Sequence, residues 1–191
     1  MLLTIPTLLT LLRIVMIPVL VIAFYLPQSW ANELTVAIFI AAGVTDALDG
    51  WIARRFEMAS PFGAFLDPVA DKLIVAVALI LIVQRHPETL IAVSSAIILG
   101  REITVSALRE WMAELGERAR VQVSSVGKSK TAFQMTAIGF LLYGEPALGL
   151  PVLDIGRILL VIGAALTIWS MVIYVCSAWP AIRSENSGEP R

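Results

Sequence analysis

Long apolar runs separated by short polar breaks dominate this chain. Six runs read as helices that cross a membrane: residues 7–26, 34–54, 62–83, 90–111, 130–143 and 155–178. A helix needs about 20 apolar residues to span the hydrocarbon core. The fifth run is the shortest, because Lys128, Lys130 and Gly144 close in on it. Ser60-Pro61 breaks the helical pattern between the second and third runs, since proline steers the residue before it away from helix. The first run holds Arg13 and no basic region precedes it, which marks a retained helix and not a cleaved leader. Pro18 is a place for that helix to bend. The pattern predicts one all-α polytopic membrane domain over residues 1–183, a bundle of six transmembrane helices. The polar stretch 184–191, SENSGEPR, is expected to be a disordered tail.

Polar positions inside the apolar runs point to chemistry. Asp46, Asp49, Gly50 and Ala53 fall at i, i+3, i+4 and i+7, one face of a helix. Gly63, Asp67 and Asp71 step by four along a second helix. A carboxylate in or near hydrocarbon is costly unless it meets a partner or a wet cavity. If these two helices are antiparallel neighbours, Asp49 pairs with Asp67 and Asp46 with Asp71, as two rungs of a ladder. The deeper rung then lies ~12 Å inside the level of Arg54, at about 1.5 Å of rise per residue. Four carboxylates suit hard divalent cations such as Mg²⁺, which take oxygen ligands and share them with substrate phosphates. The plainer reading is a set of ion pairs with Arg54, Arg55 and Lys72. A divalent-cation transporter is the rival function class. Against it, the acids cluster at one end, and Glu88, Glu145 and Asp154 stand apart.

Basic residues inside the runs raise the same question. Arg13 has two open readings: it meets a phosphate or carboxylate near the cavity, or it snorkels to the interface. Arg101 also lies in an apolar run and needs an anion, while Glu102, its neighbour, is expected to point elsewhere on the helix. Arg101 and Arg109 are within about a quarter turn of each other at 100° per residue. With Lys128 and Lys130 they would form a basic pocket beside the ladder, suited to a phosphorylated acceptor. Anchoring to anionic headgroups is the alternative. Pro68 is expected near a helix start, where it costs little.

The stretch from Asp46 to Asp71 resembles the signature of the CDP-alcohol phosphatidyltransferases, D-x2-D-G-x2-A-R-x8-G-x3-D-x3-D. Asp46, Asp49, Gly50, Ala53, Arg54, Gly63, Asp67 and Asp71 fill every fixed place. The opening, with Pro6, Thr7, Thr10 and Arg13, matches the family's first element loosely, and Thr4 stands where an Asn is common. The resemblance implies that Asp46, Asp49, Asp67 and Asp71 hold two Mg²⁺ ions, with Mn²⁺ as an alternative, and that Asp71 is the general base. It implies that Gly50, Ala53, Arg54, Gly63 and Thr10 receive the CDP-lipid. Close helix packing is the other use of small residues such as Gly50 and Ala53. The likeness covers nearly the whole chain, including LREWMAELGERARVQVSSVGKSKTAFQM. It is greatest to bacterial members that move a phosphatidyl group from CDP-diacylglycerol to sn-glycerol 3-phosphate and release CMP. Inositol phosphate, serine or phosphatidylglycerol as acceptor would use the same chemistry. A homodimer surrounded by membrane lipids is implied as well.

Composition narrows the picture further. Of 191 residues, 58% are hydrophobic and 15% charged, with mean hydropathy +0.85, too little charge to clothe a soluble surface. Net charge is −1, which leaves no nucleic-acid footprint. The loops at 28–33 and 144–154 hold no Lys or Arg, and 84–89 holds only Arg85. Arg54, Arg55, Arg118, Arg120, Lys128, Lys130, Arg183 and Arg191 fall on the other side. The positive-inside rule makes that side cytoplasmic. The expectation is a multi-pass protein of the bacterial inner membrane, with both termini and the active site cytoplasmic. Cys176, the single cysteine, excludes an intrachain disulfide, and His86 falls in an external loop.

Overall fold

The structure, a computed structural model, describes residues 4–56, 60–114, 126–147 and 149–186; the side chains of 109, 113–114, 126–130, 174 and 177–186 are outside that description. Six helices follow in order: α1 (Ile5–Phe24), α2 (Ala31–Arg55), α3 (Pro61–Arg85), α4 (Thr89–Glu114), α5 (Val126–Tyr143) and α6 (Val152–Asn186). Among the described residues no strand forms, and one isolated bridge joins Ala147 to Leu150. α6 continues to Asn186, so residues 184–186 of the expected tail are helical, and the rest lies outside the described residues.

Among the described residues four helices have the length and apolarity to cross a membrane: α1, α2, the Thr89–Met112 part of α4 and the Val152–Ile173 part of α6. Six were expected. α3 is long enough but carries Asp67, Asp71 and Lys72, and the apolar part of α5 is only Thr131–Tyr143. The outward faces are apolar. On α1, Ile5, Leu8, Leu12, Val15, Val19 and Ile22 form an exposed stripe at three- and four-residue steps. Soluble proteins rarely expose such contiguous stripes. In hydrocarbon they cost nothing, and a helix satisfies its own backbone there. The chain is a polytopic α-helical membrane protein.

The helix starts follow from local chemistry. Ser60 caps α3 by accepting a hydrogen bond from the Gly63 amide at 3.0 Å, with Pro61 at the first helical position. The Ser60-Pro61 break is thus the beginning of α3. Pro68 sits in the third turn of α3, not near its start as expected, yet α3 remains one helix. Arg54 and Arg55 end α2 in the last turn, where cations complement the helix dipole. α5 stops at Gly144, whose φ of +70° is a left-handed cap that glycine adopts without penalty.

The chain divides into two compact units. The first is Met1–Pro87 with Ile138–Gly156, and the second is Glu88–Ala137 with Arg157–Arg191. In the first unit α1 packs along both α2 and α3, whereas α2 and α3 touch each other little. The sequence reading paired α2 directly with α3; the structure makes α1 their common partner. Contacts Thr7–Ser60 and Tyr25–Gln84 show that α1 and α3 run parallel. Arg13 reaches Asp49, and Arg85 links the end of α1 to the start of α2, so α1 and α2 are antiparallel. The half of this unit away from the aspartates is apolar, with Leu20, Ala23, Phe39, Ala78 and Ile82 buried.

At that end Arg85 closes the unit. Its guanidinium donates to Asn32 Oδ1 and the Leu142 carbonyl, each at 2.8 Å, and to the Phe24 carbonyl at 3.4 Å. It also lies over the Phe24 ring, 3.8 Å from the centroid. Asn32 in turn donates to Glu145 at 2.9 Å. In the second unit, Ile91, Ile98, Val105 and Met112 form a buried stripe on α4 at seven-residue steps. Glu88 and Arg157 pair at its edge.

Candidate active site

The stripe Thr7, Thr10, Arg13 runs down one face of α1 at steps of three and is completely buried. It faces the acids of α2 and α3. Arg13 places Nη1 beside Asp71 and 3.2 Å from Asp46, and it donates through Nη2 to Asp49. Thr10 stands within hydrogen-bond reach of both Asp67 and the Pro6 carbonyl. All four signature aspartates therefore meet residues from one helix, and three of them meet a single guanidinium. The fully buried position settles the two readings of Arg13 in favour of carboxylate partners. Arg54 and Arg55, offered as ion-pair partners from sequence, are exposed.

The cluster is closed on one side and open on the other. The Asp49 side chain is 3% exposed, whereas those of Asp46 and Asp71 are 47% and 45% exposed. Asp46 and Asp71 share one end of the guanidinium, Nη1, while Asp49 takes Nη2 and Asp67 takes Thr10. Asp46 and Asp71 are thus brought to one point as their spacing suggests, although α1 and not direct α2–α3 packing brings them there.

Beneath the acids, hydroxyls join the starts of α1 and α3. Thr4 Oγ1 is 2.9 Å from Thr7 Oγ1, which is 2.9 Å from Ser60 Oγ. Gly63 fits against this chain: a Cβ there would lie 2.9 Å from Thr7 Oγ1 and 3.0 Å from Ser60 Oγ. Its smallness thus has a packing cause. At Gly50 the nearest atom to an added Cβ is Arg54 Nη1 at 3.3 Å, so the Arg54 guanidinium folds back over Gly50. Ala53 lies half-buried on the same helix.

The basic residues assigned from sequence to the acceptor belong to the second unit. Arg101 donates to Glu102 at 2.7 Å and is 3.5 Å from Ser170 Oγ. Glu102 was expected to point away; the long arginine side chain bends round the helix to reach it. The side chains of Arg109, Lys128 and Lys130 lie outside the described residues.

Divalent cations were expected at the aspartates, and the donor chemistry fits them. All four candidate donors are carboxylates, the oxygen type that hard divalent cations take. One guanidinium against four carboxylates leaves three negative charges that Arg13 does not match. Arg13 Nε is buried with no hydrogen-bond partner, so the present arrangement does not fully satisfy that side chain. Among the described residues no three acidic, histidine or cysteine side chains stand ready as a metal-holding group. Arg13 sits where the carboxylates converge.

Sequence comparison supplies independent information. The family model for CDP-alcohol phosphatidyltransferase matches residues 3–169. A CDP-diacylglycerol–glycerol-3-phosphate 3-phosphatidyltransferase of Pseudomonas fluorescens is 48% identical over 186 residues, covering 97% of this chain and 95% of the relative. Proteins of the same name from Salmonella choleraesuis (strain SC-B67) and Shigella flexneri are each 47% identical over 174 residues, covering 91% of this chain and 94% of theirs.

Proposed function

This chain belongs to the CDP-alcohol phosphatidyltransferase family, and we infer from that premise that it transfers a phosphatidyl group from CDP-diacylglycerol to sn-glycerol 3-phosphate. The products are phosphatidylglycerol phosphate and CMP. The observation that carries this reading is near-half identity, over almost the full length of both chains, to relatives named for that reaction. The filled signature and the gathering of its four aspartates support it.

In the proposed mechanism the primary hydroxyl of glycerol 3-phosphate attacks the lipid-linked phosphorus of the donor. A new P–O bond forms there, the P–O bond to CMP breaks, and CMP leaves with the bonding pair. Asp71 takes the hydroxyl proton, a role its open side of the cluster suits. Asp46, Asp49, Asp67 and Asp71 would hold two Mg²⁺ ions, or Mn²⁺ in their place, and these would supply positive charge to offset that on the departing CMP. Arg54, folded over Gly50, is assigned to a donor phosphate. Arg101, Arg109, Lys128 and Lys130 are assigned to the phosphate of the acceptor. The protein is proposed to act as a homodimer in the bacterial inner membrane, with the aspartates toward the cytoplasm, as the distribution of Lys and Arg supports.

The test is CMP release by the purified protein. Release is expected with CDP-diacylglycerol, Mg²⁺ and glycerol 3-phosphate, and not with inositol phosphate, serine or phosphatidylglycerol. Turnover on one of those acceptors instead would reassign the substrate and keep the chemistry.

A further inference from the structure

Arg13 raises a question that the transfer reaction does not answer. A fully buried arginine occupies the point toward which three of the four acids are aimed. Its one charge leaves most of the cluster's charge unmatched, and its Nε finds no partner. On the closed side, at Asp49, a half-satisfied buried network is costly; on the open side, at Asp46 and Asp71, the same carboxylates are within reach of an incoming ion. The cluster has the form of a temporary arrangement, in which a protein cation stands in for another.

We propose that Arg13 is a built-in competitor of the divalent cation: it holds Asp46, Asp49 and Asp71 together while the site is free of metal, and yields them when metal enters. The proposal rests on the reading of the aspartates as metal ligands. It assigns Arg13 as a positioning residue with two physical consequences. Without metal, the guanidinium offsets repulsion among acids that would otherwise push α2 and α3 away from α1. With metal arriving, every carboxylate it takes is one that Arg13 must release, so the apparent affinity is lowered by the fraction of molecules in which Arg13 is seated. The site then half-fills at a correspondingly higher concentration of ion. Thr10 adds a smaller contribution of the same kind at Asp67. The displaced guanidinium remains beside the acids, where an anionic diphosphate arriving with the metal is its natural next partner.

The experiment measures Mn²⁺ binding to the purified full-length protein by electron paramagnetic resonance, with no lipid or acceptor present. Wild type is compared with Arg13→Gln, which removes the charge, and Arg13→Lys, which keeps it but cannot span three carboxylates. The expected order of affinity is wild type, then Arg13→Lys, then Arg13→Gln as the tightest. A gain of roughly tenfold for Arg13→Gln corresponds to Arg13 blocking the cluster in about nine molecules of ten. In parallel, Arg13→Gln should melt lower than wild type in chelator, and Mn²⁺ should raise its Tm more than it raises that of wild type. Unchanged or weaker Mn²⁺ binding by Arg13→Gln, with wild type binding normally, overturns the proposal and leaves the metal reading intact. If no variant and no wild type binds Mn²⁺, the metal reading itself fails, and this proposal with it. Should Arg13→Gln not fold in chelator, Arg13→Lys decides alone: tighter binding than wild type supports the competitor role, and equal binding removes it.

Discussion

Two arginines tie α1, α2 and α3 together, and they do so by different chemistry. Arg85, at the end away from the aspartates, gives its donors to an asparagine, two backbone carbonyls and an aromatic face. Arg13, in the other half, gives its donors to three carboxylates. The oxygens Arg85 touches are neutral and held by the fold, with the one nearby carboxylate, Glu145, set behind Asn32, so Arg85 serves as a staple. Carboxylates attract any cation, so the contacts of Arg13 are exchangeable. Two side chains of the same type, in one helix trio, thus mark a structural end and a reactive end.

The largest effect that bears on this contrast comes from an acid, not an arginine. Asp71→Asn is expected to lower turnover by about 10²- to 10⁴-fold, the range for loss of a positioned base. CDP-lipid binding should be largely retained; equal loss of both would make Asp71 chiefly a metal holder. Next is Arg85→Gln, which strips charge-assisted hydrogen bonds from the end away from the aspartates. It should cost about 2 kcal/mol and lower Tm by roughly 4–8 °C for a chain of this length. KM for both substrates and Mn²⁺ affinity should not move; a change in either would dissolve the distinction between the two ends. Gly63→Ala forces a methyl group against Thr7 and Ser60 and should cost about 1–3 kcal/mol by overpacking. Adding Thr7→Ala should recover part of that loss, and a simple sum of the two costs would argue against the close approach. The smallest effect is a control from the second unit. Arg109→Ala should raise KM for glycerol 3-phosphate about fivefold, an interaction of roughly 1 kcal/mol, and leave KM for the lipid donor in place. An unchanged acceptor KM would remove Arg109 from the proposed pocket.

Much of this was legible in the chain. The six apolar runs correspond to the six helices because length and hydropathy act locally. That Asp46 and Asp49 on one helix, and Asp67 and Asp71 on another, turn the same way was readable because helix periodicity fixes which residues share a face. The role of α1 was harder to see. Thr7, Thr10 and Arg13 recur every three residues in an apolar helix, and that signal was present. What it could not say is which helix the stripe faces, since that depends on packing between segments far apart in sequence. Arg85 was hidden for a related reason. As the one cation in a short loop it resembles an anchor, and its carbonyl partners have no signature in the side-chain sequence. Glu102 was misjudged because an angular rule for Cβ positions ignores the reach of a long arginine.

The central place of α1 has a consequence for how the protein is made. Segments enter a membrane in the order they are synthesised, and a lone aspartate at the centre of a helix costs about 2.5–3.5 kcal/mol to insert. Here the helix carrying the neutralising cation precedes both helices carrying the acids. When α2 and then α3 leave the translocation machinery, a partner for their charges already waits in the bilayer.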